Sequence, residues 1–171
     1  LRPGPDLERQ LAGYQAMGHR YAAAAAPRPA GAPNGGPPPG GGRPPGGFTP
    51  PPPPTLESVQ REIATWNEVA RAAKPYGIKV LVHNHTMEFA KLADGRTAHD
   101  VMLAELDPSL VVLELDIGWA TVAGQDARAL FDAHPGRYPL WHVKDMANLA
   151  AVNANGDDQG ARMRTARIVP L

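Results

Sequence analysis

A parallel α/β fold is predicted by three observations. From Thr55 onward, segments with helical spacing alternate with short apolar runs. The runs start at Ile78, Leu110 and Pro139, roughly thirty residues apart, the length of one strand–helix unit. Each run ends in polar residues, where parallel α/β folds place their ligands. Such alternation implies right-handed crossovers and a parallel sheet. Spacing alone does not separate an open sheet from a barrel. A complete eight-stranded α/β barrel takes about 250 residues, so the chain is expected to hold roughly half of one.

The elements follow in order. Leu7, Leu11 and Tyr14 have helix-compatible spacing, and Ala22 to Ala26 read either as helix or as a weak buried strand. Pro27 to Pro54 is almost wholly Pro, Gly and Ala. Proline removes backbone donors and glycine raises the entropy cost of ordering, so this stretch reads as a disordered or polyproline-like linker. Its five consecutive prolines are also compatible with a ligand for a proline-reading domain. Leu56, Val59, Ile63, Trp66, Ala70 and Ala73 then form one apolar stripe, with Thr55 as N-cap and Gly77 as the stop. IKVLVH is a buried strand. TAHDVMLAEL is a helix with Thr97 as cap and Asp100 three residues on. LVVLELDIG is the next strand, DARALFDAH a helix capped by Asp126, and YPLWHVKD the third strand. TARIVPL reads as a fourth. Three parts result: a helical and strand segment over 1–26, a linker over 27–54, and a partial barrel over 55–171.

Composition narrows the function. Seventeen basic residues balance seventeen acidic ones, which argues against a broad nucleic-acid or anionic-membrane footprint. No apolar run approaches the roughly 20 residues of a membrane helix. There is no cysteine, so any metal must be held by His, Asp, Glu, carbonyl or water. Nothing fixes the compartment: the cytoplasm is the default expectation, and export is expected if a signal precedes Leu1.

The polar strand ends carry the chemistry. The first strand ends in His83-Asn84-His85, the second in Asp116, the third in His142, Lys144 and Asp145. Alternation puts His83 with His85, Glu114 with Asp116, and His142 with Lys144. Each residue alone has a plain structural reading. A strand-end His is usually a hydrogen-bonded loop residue, Asp116 before Gly118 is compatible with turn chemistry, and Glu114 is expected to pair internally with Lys144. Trp119 and Trp141 are expected in the core. Together, three strands delivering imidazole or carboxylate to one rim suit a divalent Zn, Mn, Fe or Co ion.

The segments GIKVLVHNHTMEF, LELDIGWATVAGQD and HPGRYPLWHVKDM, in this order, resemble the sugar phosphate isomerase/epimerase family, of the xylose-isomerase-like TIM-barrel type. The resemblance runs from about Thr55 to Met146. It implies a partial (β/α)8 barrel and an enzyme with a divalent metal (Mn, Zn, Co, Fe or Mg) at the mouth. The substrate implied is a sugar or polyol bound through vicinal oxygens. The implied chemistry is proton transfer next to a carbonyl, with the metal polarising that carbonyl. It places Asp116 and His142 on metal-ligand positions, and His83 where many relatives have a glutamate. Glu88 is then the nearest carboxylate base, with His85 contacting substrate oxygens or serving as an alternative ligand. Lys144 and Asp145 bind substrate or orient His142, and Trp119 covers the sugar face. A further glutamate ligand is expected beyond ARIVPL, so the chain is expected to be truncated or degenerate and weakly active alone.

Other readings stay open. The His at position 83 makes a keto-sugar dehydratase or lyase on the same scaffold credible. An endonuclease IV-like enzyme would place a histidine at Trp119, and the neutral charge gives phosphate little help. A non-catalytic remnant is the fourth. Open sheet edges predict association between copies.

Overall fold

In a computed structural model, residues 1–24 and 54–170 are described. The Pro/Gly-rich segment read as a linker lies outside them, apart from Pro54. The order is α1 (Leu7–Ala16), β1 (Tyr21–Ala23), α2 (Leu56–Ala73), β2 (Lys79–His83), α3 (Ala98–Glu105), β3 (Val111–Asp116), α4 (Ile117–Val122), α5 (Ala127–Ala133), β4 (Leu140–His142), β5 (Asp145–Ala147), α6 (Leu149–Asn153), α7 (Gln159–Thr165) and β6 (Arg167–Val169). Strands β1 to β4 form one parallel sheet in sequence order. The α/β alternation and parallel sheet are those of a partial TIM barrel.

Local chemistry starts the helices where the sequence places them. Thr55 and Ser58 form a reciprocal capping box on α2, and Thr97 and Asp100 form another on α3. The Asp126 carboxylate accepts from the amides of Arg128 and Ala129 to open α5. After α2 a short 3-10 turn runs to Gly77, whose φ of 70° is the left-handed conformation that stops the helix. The expected stripe of α2 is buried at Val59, Ile63, Trp66, Ala70 and Ala73, and Val69 joins it.

The main core lies between the helices and the outer face of the sheet. Val80 and Val82 of β2 and Val111, Leu113 and Leu115 of β3 pack there with Val101 and Met102 of α3. The opposite face then carries Leu81 and His83, Val112, Glu114 and Asp116, and Leu140 and His142, by simple alternation. It is apolar low on the strands and polar at their C-terminal ends.

A buried pair behind this core gives a pH-dependent stability. His99 Nε2 and the Tyr138 hydroxyl share a hydrogen bond of 2.8 Å. Burial pushes His99 from 6.5 down to about 4, opposed by Asp100 and helped by neighbouring His134 and Arg137. Burial pushes Tyr138 up to about 12. The unfolded chain therefore takes up a proton that folded His99 refuses. The stabilisation is whole above about pH 6.5 and is lost as pH falls through 4, a difference of roughly 3 kcal/mol. Urea denaturation between about pH 7 and pH 4 should show a shallower loss in His99→Phe than in the parent. Equal slopes would contradict this.

The sequence reading needs three corrections. TARIVPL is not a fourth parallel strand: β6 pairs antiparallel with β5, Met146 opposite Ile168. YPLWHVKD is not one strand but breaks at Val143 and Lys144 into β4 and β5, in separate sheets. LVVLELDIG ends as a strand at Asp116, because its carboxylate caps a helix that begins at Ile117. The short helices α6 and α7 had no sequence signal of useful length. They fold back over α4, pinned by Arg162, whose guanidinium reaches the Val122 carbonyl, the Gly156 carbonyl and Asn153 Oδ1.

Candidate metal centre

Parallel register builds the site. Cα partners are His83 with Glu114 across β2 and β3, and Asp116 with His142 across β3 and β4. Asp116 is fully buried and serves two functions there. Its Oδ1 accepts the Trp119 amide at 2.8 Å, the N-cap bond of α4. Its Oδ2 lies 2.8 Å from Lys144 Nζ, 3.3 Å from His142 Nδ1 and 3.4 Å from His83 Nε2. None of these nitrogens donates a well-aligned hydrogen bond, so Oδ2 is buried without such a partner. Without a metal, the Lys144 ammonium is the cation that offsets the cost of burying this carboxylate oxygen.

Glu114 sets the state of His83. Its Oε2 lies 2.7 Å from His83 Nδ1. A carboxylate oxygen accepts, so the Nδ1–H of His83 points to Glu114 and Nε2 faces Asp116 Oδ2. Either a proton or a metal ion on Nε2 would be held between that nitrogen and Oδ2. One donor atom each from His83, Asp116 and His142 lie within 4.8 Å of one another. Two imidazoles and a carboxylate oxygen fit a divalent first-row metal, which would take the place beside Oδ2 that the Lys144 ammonium now holds.

The other expected residues divide. His85 lies beyond the end of β2, its ring 5.0 Å from that of His83 and 6.1 Å from that of Trp119. Burial lowers its pKa, opposed by the Glu88 carboxylate. Trp119 is half-buried, with Lys144 Nζ 5.4 Å from its ring centre, and forms a wall beside the rim. Glu88 Oε2 accepts the His85 amide at 2.7 Å, so it shapes the loop that carries His85. Asp145 is exposed, and its carboxylate accepts from the adjacent Met146 amide. The break after β4 separates it from His142.

Two expectations fail on register. Glu114 pairs with His83 because the two stand directly opposite, and Lys144 reaches Asp116 instead. Trp141 is 62% exposed, on the outer face beside Phe131, rather than in the core. The sequence reading also missed Asn84. It is buried, its Oδ1 accepts the Asp116 amide at 2.9 Å, and its Nδ2 donates to the Asp116 carbonyl at 3.3 Å. A polar residue between two histidines gave no hint that it latches β2 to β3.

Gly118 is required by close approach. A Cβ there would meet Lys144 Cγ at 2.6 Å, the Lys144 carbonyl at 3.0 Å and Met146 Cε at 3.1 Å. Gly118→Ala should gain about 1 kcal/mol of helix propensity and lose about 1–3 kcal/mol to overpacking. The expected result is a net loss in urea denaturation, with Lys144 displaced from Asp116. A variant more stable than the parent would show that β5 yields freely.

No family model matches the chain. An inosose dehydratase of Lactiplantibacillus plantarum is 33% identical over 88 residues, covering 47% of this chain and 28% of that protein. A solved sugar phosphate isomerase/epimerase from Parabacteroides distasonis superposes with a TM-score of 0.62 at 21% identity, over 81% of this chain and 43% of that one. A second structure of that description and organism gives 0.61 at 21% identity, over 91% and 53%. The chain thus spans about half or less of the length of the proteins it resembles. The resemblance carried by the three motifs is borne out by these neighbours, and the chain has the fold of a sugar phosphate isomerase/epimerase, in the form of a curled four-stranded portion of the barrel.

Proposed function

We propose that this chain carries the metal-binding wall of a sugar isomerase, epimerase or dehydratase active site. The observation that supports it is the convergence of His83, Asp116 and His142 from three adjacent parallel strands, with donor atoms within 4.8 Å of one another. A divalent cation held there would act as a Lewis acid on vicinal sugar oxygens and lower the cost of removing a proton next to a carbonyl. The protein's own groups do the rest. Glu114 fixes the His83 tautomer and ring orientation. Trp119 and His85 line the space beside the rim. His85, neutral because burial lowers its pKa, accepts the proton, and Glu88 holds its loop in place. Lys144 supplies positive charge to substrate oxygens and neutralises Asp116 when no metal is present. Asp145 takes no part in this arrangement.

The similarity to an inosose dehydratase supports a second reading, loss of water from a cyclic polyol ketone. Both reactions begin by removing a proton next to a carbonyl, and they differ in whether a neighbouring hydroxyl then leaves.

The test is metal content by mass spectrometry on the purified chain and on His142→Ala. The proposal expects near-stoichiometric Mn, Zn, Co, Fe or Mg in the parent and loss in the variant. Ketose isomerisation, epimerisation and polyol-ketone dehydration assays then separate the readings. Absence of metal in both proteins would defeat it.

A further inference from the structure

A cavity of about 670 Å³ shares no lining residue with the metal rim. Three segments wall it: parts of 87–97, which follow His85; 123–125, which follow α4; and parts of 156–162, which lead into α7. Its size falls within the roughly 300–1,000 Å³ of small-molecule sites. The walls are held in place. Thr86 is fully buried and donates to the Gln159 carbonyl at 3.1 Å, tying the first segment to the third. Arg162 is buried and donates to the Val122 and Gly156 carbonyls, tying the second to the third. Gly124 has a φ of 84°, and a Cβ there would meet Arg162 Nη2 at 3.2 Å.

One buried group in these walls is unsatisfied. Gln159 is 8% exposed, and its Nε2 donates to the Ala123 carbonyl at 3.3 Å. Its Oε1 is buried without a hydrogen-bond partner. Native proteins leave few such acceptors, and a donor on a bound molecule would satisfy this one. The charges decide what kind of molecule. Lys91 and Arg162 line the cavity against Asp157 and Asp158. Arg162 is engaged by carbonyls, and Asp158 accepts the Ala161 amide that opens α7. Lys91 and Asp157 remain, 3.8 Å apart with side chains 70% and 92% exposed, a loose pair that contributes little to stability. An anion would gain Lys91 but meet Asp157, and a cation would meet the reverse. A hydroxyl suits both, since it accepts from the ammonium and donates to the carboxylate. Met87, Phe89 and Ala90 add apolar surface for the C–H face of a ring.

We propose that this cavity is a second small-molecule site, for an uncharged polyol or monosaccharide. Its hydroxyls would meet Gln159 Oε1 at the wall and the Lys91–Asp157 pair at the mouth. The site is separate from the metal rim and does not rest on it. Ligand-observed saturation-transfer NMR tests it on the 171-residue chain in chelator, which keeps metal out of the measurement. The probes are D-glucose and myo-inositol, with D-gluconate and D-glucosamine as charged comparators. Transfer from a neutral probe is expected, with tighter binding than either comparator shows. Gln159→Met removes the acceptor and Ala90→Trp fills the cavity. Each should weaken the neutral probe about tenfold with circular dichroism unchanged. Lys91→Met, at an exposed side chain, keeps the fold and should weaken it too. No transfer from either neutral probe, tighter binding of a comparator, or unchanged affinity in the folded variants would overturn the site. Metal content measured without chelator keeps the two proposals apart. Polyol binding by a chain that takes up no metal defeats the proposed function alone, and metal uptake without polyol binding in chelator defeats this site alone.

Discussion

Asp116→Ala is expected to abolish metal binding and to cost the metal-free protein roughly 3 kcal/mol. The stability loss has two sources. Asp116 Oδ1 caps α4 through the Trp119 amide, and losing such a cap costs about 1 kcal/mol. Asp116 Oδ2 also neutralises Lys144, whose side chain is only 15% exposed. Breaking a buried ion pair from one side costs about 3–5 kcal/mol, reduced here because Lys144 can swing toward solvent. Asp116→Asn separates the two effects, since asparagine caps as well as aspartate but carries no charge. It should keep most of the cap, lose the pair, and bind metal at least about 100-fold more weakly, beyond the cost of losing an outer-shell contact. Urea denaturation and calorimetric titration with Mn or Zn measure both. If Asp116→Ala binds metal as the parent does, the centre is wrongly placed.

Lys144→Met should act in opposite directions on the two observables. Without metal, Asp116 loses its nearest cation, and the fold should weaken by several kcal/mol. With metal, affinity should rise roughly ten- to a hundredfold, because Lys144 Nζ now sits 2.8 Å from the oxygen the ion would use. Two like unit charges about 4 Å apart repel by about 4 kcal/mol at an effective dielectric near 20, and Lys144 escapes part of this by swinging toward solvent when an ion binds, so removing the ammonium removes only the remaining opposition. Saturating metal should therefore restore more stability to Lys144→Met than it adds to the parent. Calorimetry and metal-dependent melting test this together. Unchanged or weaker metal affinity would mean that Lys144 does not compete for Oδ2, and its role would narrow to the substrate.

Particular residues show what was legible. The apolar stripe of α2, the caps at Thr55, Thr97 and Asp126, and the strand cores around Val80 and Leu113 are local facts. Helical and strand periods and cap chemistry are written in neighbouring residues, and those elements form as read. The rim was legible for the same reason. A parallel sheet puts strand ends at one face, so His83, Asp116 and His142 had to approach one another. The short elements after β4 were not legible. Runs of three to seven residues carry no decisive period, and β5 with β6 is held by a partner about twenty residues away.

The sequence by itself thus determined the alternating α/β order, the starts of α2, α3 and α5 and the residues delivered to the strand ends, because each depends on spacing along the chain. Only the tertiary structure decided which atoms meet. Lateral register, unspecified by a period of two, sets Glu114 opposite His83 and Asp116 opposite His142. The break after His142 turns Asp145 away and lets Lys144 reach Asp116 Oδ2. The close packing of Gly118 under Lys144 then holds that nitrogen beside the one buried carboxylate oxygen that a cation would need.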